Sequence, residues 1–331
     1  MPNSQIILEE FQSSILENNP LGDPATRRIP VYLPPGYKQG EQRFPVVYLL
    51  VGFAGRGRKL LNDSLWSENI QERMDRLVLD GAVQPMILVM PDCSTRYGGS
   101  QYLNSSALGH YRDHLLELVA YVDDHFRTRP EREARAVAGH SSGGYGALTL
   151  GMQHPEIFGL VADHSGDIYF ELVYKNDFPA FLNYYQKAGE SGLKQLLADP
   201  GLALQQGVSF SALNLVAMSA CYSPNPDSPL GFDLPLDPTT GELLQDVWQR
   251  WLAQDPVNMV EQHAEALRSL KMLYFDCGRQ DEYHMLYGCR ILAQRLSKLD
   301  IPYQYEEFEG GHSGTSYRYD VSLKAISEAI A

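Results

Sequence analysis

The sequence predicts an α/β fold, a mostly parallel central sheet with helices on both faces. Two short apolar runs, Phe44–Val51 (FPVVYLLV) and Met86–Met90 (MILVM), read as strands buried on both sides. Stretches such as Tyr111–Phe126 place Leu115, Leu118, Val119 and Val122 at helical spacing. Strand and helix patterns alternate along most of the chain, as βαβ units do. Ligands in such sheets bind beyond the carboxyl ends of the strands, so the loops there are where chemistry is expected.

In order, Gln5–Leu16 alternates loosely and predicts an edge strand. Arg28–Leu33 (RIPVYL) is a second strand, closed by Pro34-Pro35-Gly36. The Phe44–Val51 strand runs into a glycine-rich loop, Gly52–Gly57, and then a helix over Leu65–Leu79. Met86–Met90 is followed by a polar loop, Ser94–Gly109, and the Tyr111–Phe126 helix. Leu160–Ala162 is a short strand leading into Asp163-His164-Ser165-Gly166. The sheet resumes at Leu270–Phe275 and is followed by a loop, Asp276–Glu282, and a helix, Tyr283–Leu299. Tyr303–Phe308 is the last strand, Gly310-Gly311-His312 follows it, and Val321–Ala331 is a closing helix.

The alternation breaks between Asp167 and Met259. That stretch is rich in aromatic residues, has helical pieces near Leu193–Ala198 and Leu243–Ala253, and holds a run, Pro224–Pro238, too dense in proline to be regular. The expected organisation is one domain over 1–331 with residues 167–259 inserted as a cap above the sheet rim.

Ala134–Leu150 (ARAVAGHSSGGYGALTL) carries the chemistry. A short apolar strand meets Gly139-His140-Ser141-Ser142-Gly143, and a helix over Tyr145–His154 follows. G-x-S-x-G between strand and helix is the nucleophile-elbow arrangement. Its sharp turn lifts Ser141 above the sheet, and the glycines allow strand and helix to approach closely. The helix start directs amide hydrogens at the same place, which suits a developing oxyanion.

A serine hydroxyl needs a base and an orienting acid, which on this architecture follow in the order Ser, acid, His. His312, just past the last strand, is the expected base. Asp281 is the expected acid, with Asp276 and Glu282 as alternatives. Asp276 still belongs to the strand end, where its side chain is not expected to reach over the rim. The backbone N–H groups of Ser142 and Phe53 are the expected oxyanion donors. Gly52, His164, Tyr169, Phe178 and Tyr184 are the expected substrate-binding residues.

Composition bounds the rest. The chain has 331 residues, of which 44% are hydrophobic and 21% charged, with a formal net charge of −14. No basic face for nucleic acid or a membrane surface is expected from that balance, and no run is long enough to cross a bilayer. Cys93, Cys221, Cys277 and Cys289 form no C-x-x-C pair, and His110 and His114 lack an evident third ligand, so neither a metal nor any other cofactor is expected. The scattered cysteines and a start without a basic segment or long apolar run predict a cytoplasmic protein.

Four stretches resemble the putative-esterase family of α/β-hydrolases: GHSSGGYGAL (Gly139–Leu148), YLLVGFAG (Tyr48–Gly55), the Asp-x-Gly-x-x-Asp of Asp276–Asp281, and Gly310-Gly311-His312. That family includes S-formylglutathione hydrolase, enterochelin esterases and mycolyl transferases. The resemblance implies the α/β-hydrolase fold, the Ser141–His312–Asp281 triad and the Ser142 and Phe53 amides as oxyanion hole. Where relatives often have His-Gly in the loop, this chain has Val51-Gly52. The expected activity is hydrolysis of a small carboxylic ester through an acyl-enzyme on Ser141. An acyltransferase with the same triad and a non-catalytic protein on the hydrolase scaffold are the alternatives.

Overall fold

The computed structural model describes residues 4–330. Its centre is an eight-stranded sheet in the order β1-β2-β4-β3-β7-β8-β9-β10. Strands β1 (Gln5–Gln12) and β2 (Thr26–Leu33) are antiparallel to each other, and β2 is antiparallel to β4 (Ile87–Val89). From there β3 (Val46–Leu50), β7 (Arg135–His140), β8 (Leu160–His164), β9 (Met272–Gly278) and β10 (Gln304–Phe308) run parallel. Strands β5 (Asn104–Ser105) and β6 (Gly109–His110) form a separate hairpin inside the loop predicted over 94–109.

The central strands are apolar on both faces because both are covered. Val47, Leu49, Ala136, Ala138, Leu160 and Tyr274 pack under α1 (Ile70–Leu79) and α12 (Tyr319–Ile330). Tyr48, Leu50, Val137, Val161, Leu273 and Phe275 face α2 (Tyr111–His125), α3 (Ser142–Gln153) and α11 (Met285–Lys298). This alternation in each strand gives a three-layer α/β-hydrolase architecture. Helix α1 begins later than the predicted Leu65. Asn69 and Glu72 close a capping box there, which leaves Leu65 and Trp66 exposed in the preceding loop.

The chain leaves the sheet after β8 and returns at β9. In between lie α4 (Phe170–Val173), α5 (Phe178–Ala198), α6 (Pro200–Gln205), α7 (Phe210–Tyr222), α8 (Gln245–Leu252), α9 (Pro256–Met259) and α10 (Ala264–Arg268). The stretch is far more helical than the two pieces its sequence predicts. Helix α7 is buried on nearly every side, so it has no polar stripe to reveal its period. Helix α5 is interrupted by Gly189, at φ 61°. The proline-rich run is irregular, as expected, and is held by bridges pairing Pro224 with Phe232 and Leu236 with Leu243.

This insertion is continuous with the sheet. Phe170, Val173, Phe181, Leu196, Trp248 and Trp251 belong to the same apolar core as Leu50 and Phe275. Its two ends are tied at one buried carboxylate: Asp255 accepts from the amides of Tyr169 (3.0 Å), Phe170 (2.8 Å) and Val257 (3.3 Å). Burial pushes the Asp255 carboxyl up to about 6 against the pull of those amides. No described helix is long and apolar enough to cross a membrane.

Candidate active site

Ser141 sits at the turn between β7 and α3 with φ 60° and ψ −129°, a left-handed conformation for a residue with a Cβ. The turn closes only because its neighbours are small. A Cβ on Gly139 would overlap the Gly143 backbone, and one on Gly143 would overlap the Leu50 carbonyl. The Ser141 amide donates to the His164 carbonyl at 2.9 Å, and the side chain is left at the rim.

His312 Nε2 lies 2.9 Å from Ser141 Oγ, and His312 Nδ1 lies 2.8 Å from Asp281 Oδ2. Asp281 is buried beyond the end of β9. Its Oδ1 accepts from the amides of Tyr283 (3.0 Å) and Met285 (3.4 Å), while Oδ2 also meets the Cys277 thiol at 3.7 Å. Glu282, the second alternative for the acid, accepts from the His312 amide at 2.7 Å and so orients the loop rather than the ring. His140 packs its ring 4.6 Å from that of His312, with Nε2 2.9 Å from the His312 carbonyl. Burial, with His312 and His164 close by, pushes the His140 imidazole down to about 3, so it is neutral and donates through Nε2.

Asp276, the other alternative, is engaged elsewhere. It lies 2.9 Å from His164 Nδ1 and accepts from the Arg318 guanidinium and the Tyr274 hydroxyl, each at 2.8 Å. His164 Nε2 is in turn 2.8 Å from Ser322 Oγ. Burial alone would raise the Asp276 carboxyl, but His164 and Arg318 hold it below the usual carboxylate range. Both ring nitrogens of His164 are therefore taken inside the protein, while the residue still borders the cavity beside Gly52 and His140.

The Phe53 amide makes no hydrogen bond among the described residues. Its peptide is oriented by the turn in which the Gly55 amide donates to the Gly52 carbonyl at 3.0 Å. The Ser142 amide is at the first position of α3, where the helix ladder offers no acceptor. A Cβ on Gly52 would lie 3.2 Å from the Ser141 Cβ, so only glycine keeps the space beside Ser141 open.

The aromatic residues expected at the site divide. Phe178 packs edge-on to Trp248, the Tyr184 hydroxyl donates to the Gly192 carbonyl at 2.6 Å, and the Tyr169 amide is on Asp255. These contacts lie within the insertion. Other aromatic rings meet His312 and Phe53. Tyr283 stands edge-on to His312 at 4.7 Å, and Phe210, at the start of α7, stands edge-on to Phe53 at 5.6 Å. Tyr283 and Phe210 are 46% and 45% exposed, so both present apolar surface at the rim. The predicted helix over 283–299 masked the first, and no sequence signal marked the second.

On the other side of Gly52 and His140 a cavity of about 430 Å³ opens between the 59–69 loop and Ser313–Ser316. His110 is exposed beside Asp113, and His114 is buried against Phe11 and Tyr111. No group of metal-ligating side chains occurs among the described residues.

Residues 24–328 match the family described as Putative esterase. Among curated relatives, an endo-1,4-beta-xylanase/feruloyl esterase of Xylanibacter ruminicola is 31% identical over 153 residues, 42% of this chain and 19% of that one. An esterase of Mycobacterium tuberculosis is 29% identical over 163 residues, 47% of this chain and 31% of its own length. The chain thus spans less than a third of either relative. Among solved structures, a ferulic acid esterase superposes with a TM-score of 0.64 at 20% identity over 99% of both chains. An S-formylglutathione hydrolase from Agrobacterium tumefaciens gives 0.61 at 16% identity, over 100% of this chain and 97% of the other.

Proposed function

The chain belongs to the Putative esterase family, and from that membership we propose that it hydrolyses carboxylic esters through an acyl-enzyme formed on Ser141. The observation that carries the reading is the continuous hydrogen-bonded line from Asp281 through His312 to Ser141, ending at a strained elbow beside a free Phe53 amide. Ser141 Oγ attacks the ester carbonyl as His312 Nε2 takes its proton. The Phe53 and Ser142 amides hold the oxyanion. Collapse expels the alcohol, which takes the proton back from His312. Water, deprotonated by the same nitrogen, then releases the acid. Asp281 keeps the imidazole in the productive tautomer and stabilises the imidazolium between the two transfers.

The acyl group proposed is aromatic. Tyr283 stands against the His312 ring and Phe210 against Phe53, whose amide is the proposed oxyanion donor, and two of the relatives above are named for feruloyl or ferulic acid esters. The test has two parts. An organophosphonate probe should label the wild type at Ser141 and fail to label Ser141→Ala. Methyl esters of aromatic acids should be cleaved with a higher kcat/KM than acetate esters. Labelling that persists in Ser141→Ala would remove the nucleophile assignment. Partition of the acyl group to added alcohols, rather than water, would move the reading to acyl transfer.

A further inference from the structure

The loop before the β5–β6 hairpin carries two consecutive residues in the left-handed region, Gln101 at φ 51° and Tyr102 at φ 55°. Neither is glycine, and such a conformation persists only where the surroundings impose it. Both are buried, at 1% and 5% exposure. The strain is held by what the two side chains reach.

The Tyr102 hydroxyl donates to the Val51 carbonyl at 2.7 Å. Val51 O belongs to the peptide preceding Gly52, and Gly52 O, in the next peptide, accepts from Gly55. Each peptide flanking Gly52 is therefore pinned by one hydrogen bond, and the second of them carries the Phe53 N–H. The Tyr102 ring packs on α3 at Gly146, where a Cβ would overlap it. That contact accounts for a glycine in α3, three residues past the elbow.

Gln101 reaches the other donor. Its Nε2 contacts Asp167 Oδ2 (2.7 Å), the Tyr174 hydroxyl (3.0 Å) and the Tyr222 hydroxyl (2.9 Å). Asp167 Oδ2 also accepts from the Tyr174 hydroxyl at 2.8 Å and from Ser142 Oγ at 3.3 Å. Asp167 is fully enclosed, and burial raises its carboxyl despite these bonds. The residue whose amide caps the oxyanion site is thus fastened through its side chain to a buried network that Gln101 holds.

We propose that Gln101 and Tyr102 are positioning residues for the oxyanion hole, Tyr102 aiming the Phe53 amide through Val51 and Gln101 aiming the Ser142 amide through Asp167. This rests on the reading of Ser141 as nucleophile. The two donors follow different strands, β3 and β7. One strained dipeptide sets their separation, so the hole is built before substrate arrives.

The test uses Tyr102→Phe, which removes one hydroxyl, and Gln101→Met, which keeps length and removes the amide hydrogens. Removing an oxyanion donor outright costs about 10² to 10³ in kcat, and mis-aiming one is expected to cost about tenfold. Each variant should therefore lose about tenfold in kcat per active site titrated with an organophosphonate, with KM within about twofold. Inhibition by a boronic acid, whose tetrahedral adduct places an oxygen in the hole, should weaken by the same factor. The double variant should lose about a hundredfold. A structural role alone would lower melting temperature or the titratable fraction and leave kcat per titrated site intact. Intact per-site kcat in both single variants would overturn the proposal and leave the esterase reading standing. A wild type without Ser141-dependent turnover would overturn both.

Discussion

The molecule holds two sets of serine, histidine and aspartate with nearly the same distances. At the rim, His312 is 2.8 Å from Asp281 and 2.9 Å from Ser141. Beneath it, His164 is 2.9 Å from Asp276 and 2.8 Å from Ser322. Hydrogen-bond lengths do not tell them apart; the surroundings of the serine do. Ser141 occupies a strained turn with the Phe53 amide free and Gly52 leaving space beside it. Ser322 is an ordinary helical residue of α12, fully buried. Asp276 also answers to Arg318 and Tyr274, an ion-paired arrangement suited to holding β9 against α12. What faces the serine, together with the hydrogen-bond geometry, separates the two sets.

The widest separation between the two sets should appear on removing the serines. Ser141→Ala is expected to lose about 10⁶ in kcat, and Ser322→Ala to stay within about twofold of wild type. Turnover of a chromogenic ester by purified protein decides it, and a Ser141→Ala variant that keeps a few per cent of wild-type kcat would end the distinction. The acids come next. Asp281→Asn should cost about 10⁴ in kcat with folding intact. Asp276→Asn should leave kcat per folded molecule within a few-fold while costing about 3 kcal/mol or more in denaturant unfolding, because His164 and Arg318 lose a buried partner. The reverse pattern would exchange the roles of the two aspartates.

A smaller effect belongs to the rings around the rim. Phe210→Ala or Tyr283→Ala should shift the kcat/KM ratio between aromatic and acetate esters by about tenfold, roughly 1.4 kcal/mol of differential binding. Phe178→Ala and Tyr184→Ala, whose contacts stay within the insertion, should leave that ratio unchanged. A last effect, on stability rather than rate, sharpens the contrast among buried histidines. His164 has two partners, whereas neither ring nitrogen of His114 makes a well-formed hydrogen bond, the Asp92 backbone offering only a weak one. Burial, with Arg27 nearby, pushes His114 down to about 4. Its neutral form is the one the fold accepts, so its contribution is complete above the ordinary histidine value of about 6.5 and lost as pH falls toward 4. At pH 5 that loss is about 2 kcal/mol. His114→Phe, set against Phe11 and Tyr111, should narrow the stability gap between pH 7.5 and pH 5 by that amount.

The sheet and the hydrogen-bonded line of Ser141, His312 and Asp281 were legible in the sequence because each left a local signature. Strands covered on both faces are short apolar runs, and the elbow needs glycines at fixed offsets. Asp276 and Asp281 were separable because a strand-end side chain is committed to the sheet, whereas one five residues on is in the loop. His164 was ambiguous because the same position, the last residue of a strand, serves a rim site or a buried one, and its bonds to Asp276 and Ser322 emerge only in three dimensions. The insertion was the least legible part. An apolar helix such as α7 has no periodic contrast, and which aromatic faces Ser141 depends on how distant helices pack. Gln101 and Tyr102 lie in a loop whose composition reads as merely polar.

Asp255 fastens the start and the end of the insertion to each other, and the helices between share the core of the sheet. A lid that swings needs two hinges free to turn, and here both are knotted at one enclosed carboxylate. Substrate exchange should then need no opening and closing step of the kind that sets the pace in gated enzymes. Turnover would be paced by bond-making at Ser141. Raising solvent viscosity with sucrose should accordingly leave kcat unchanged.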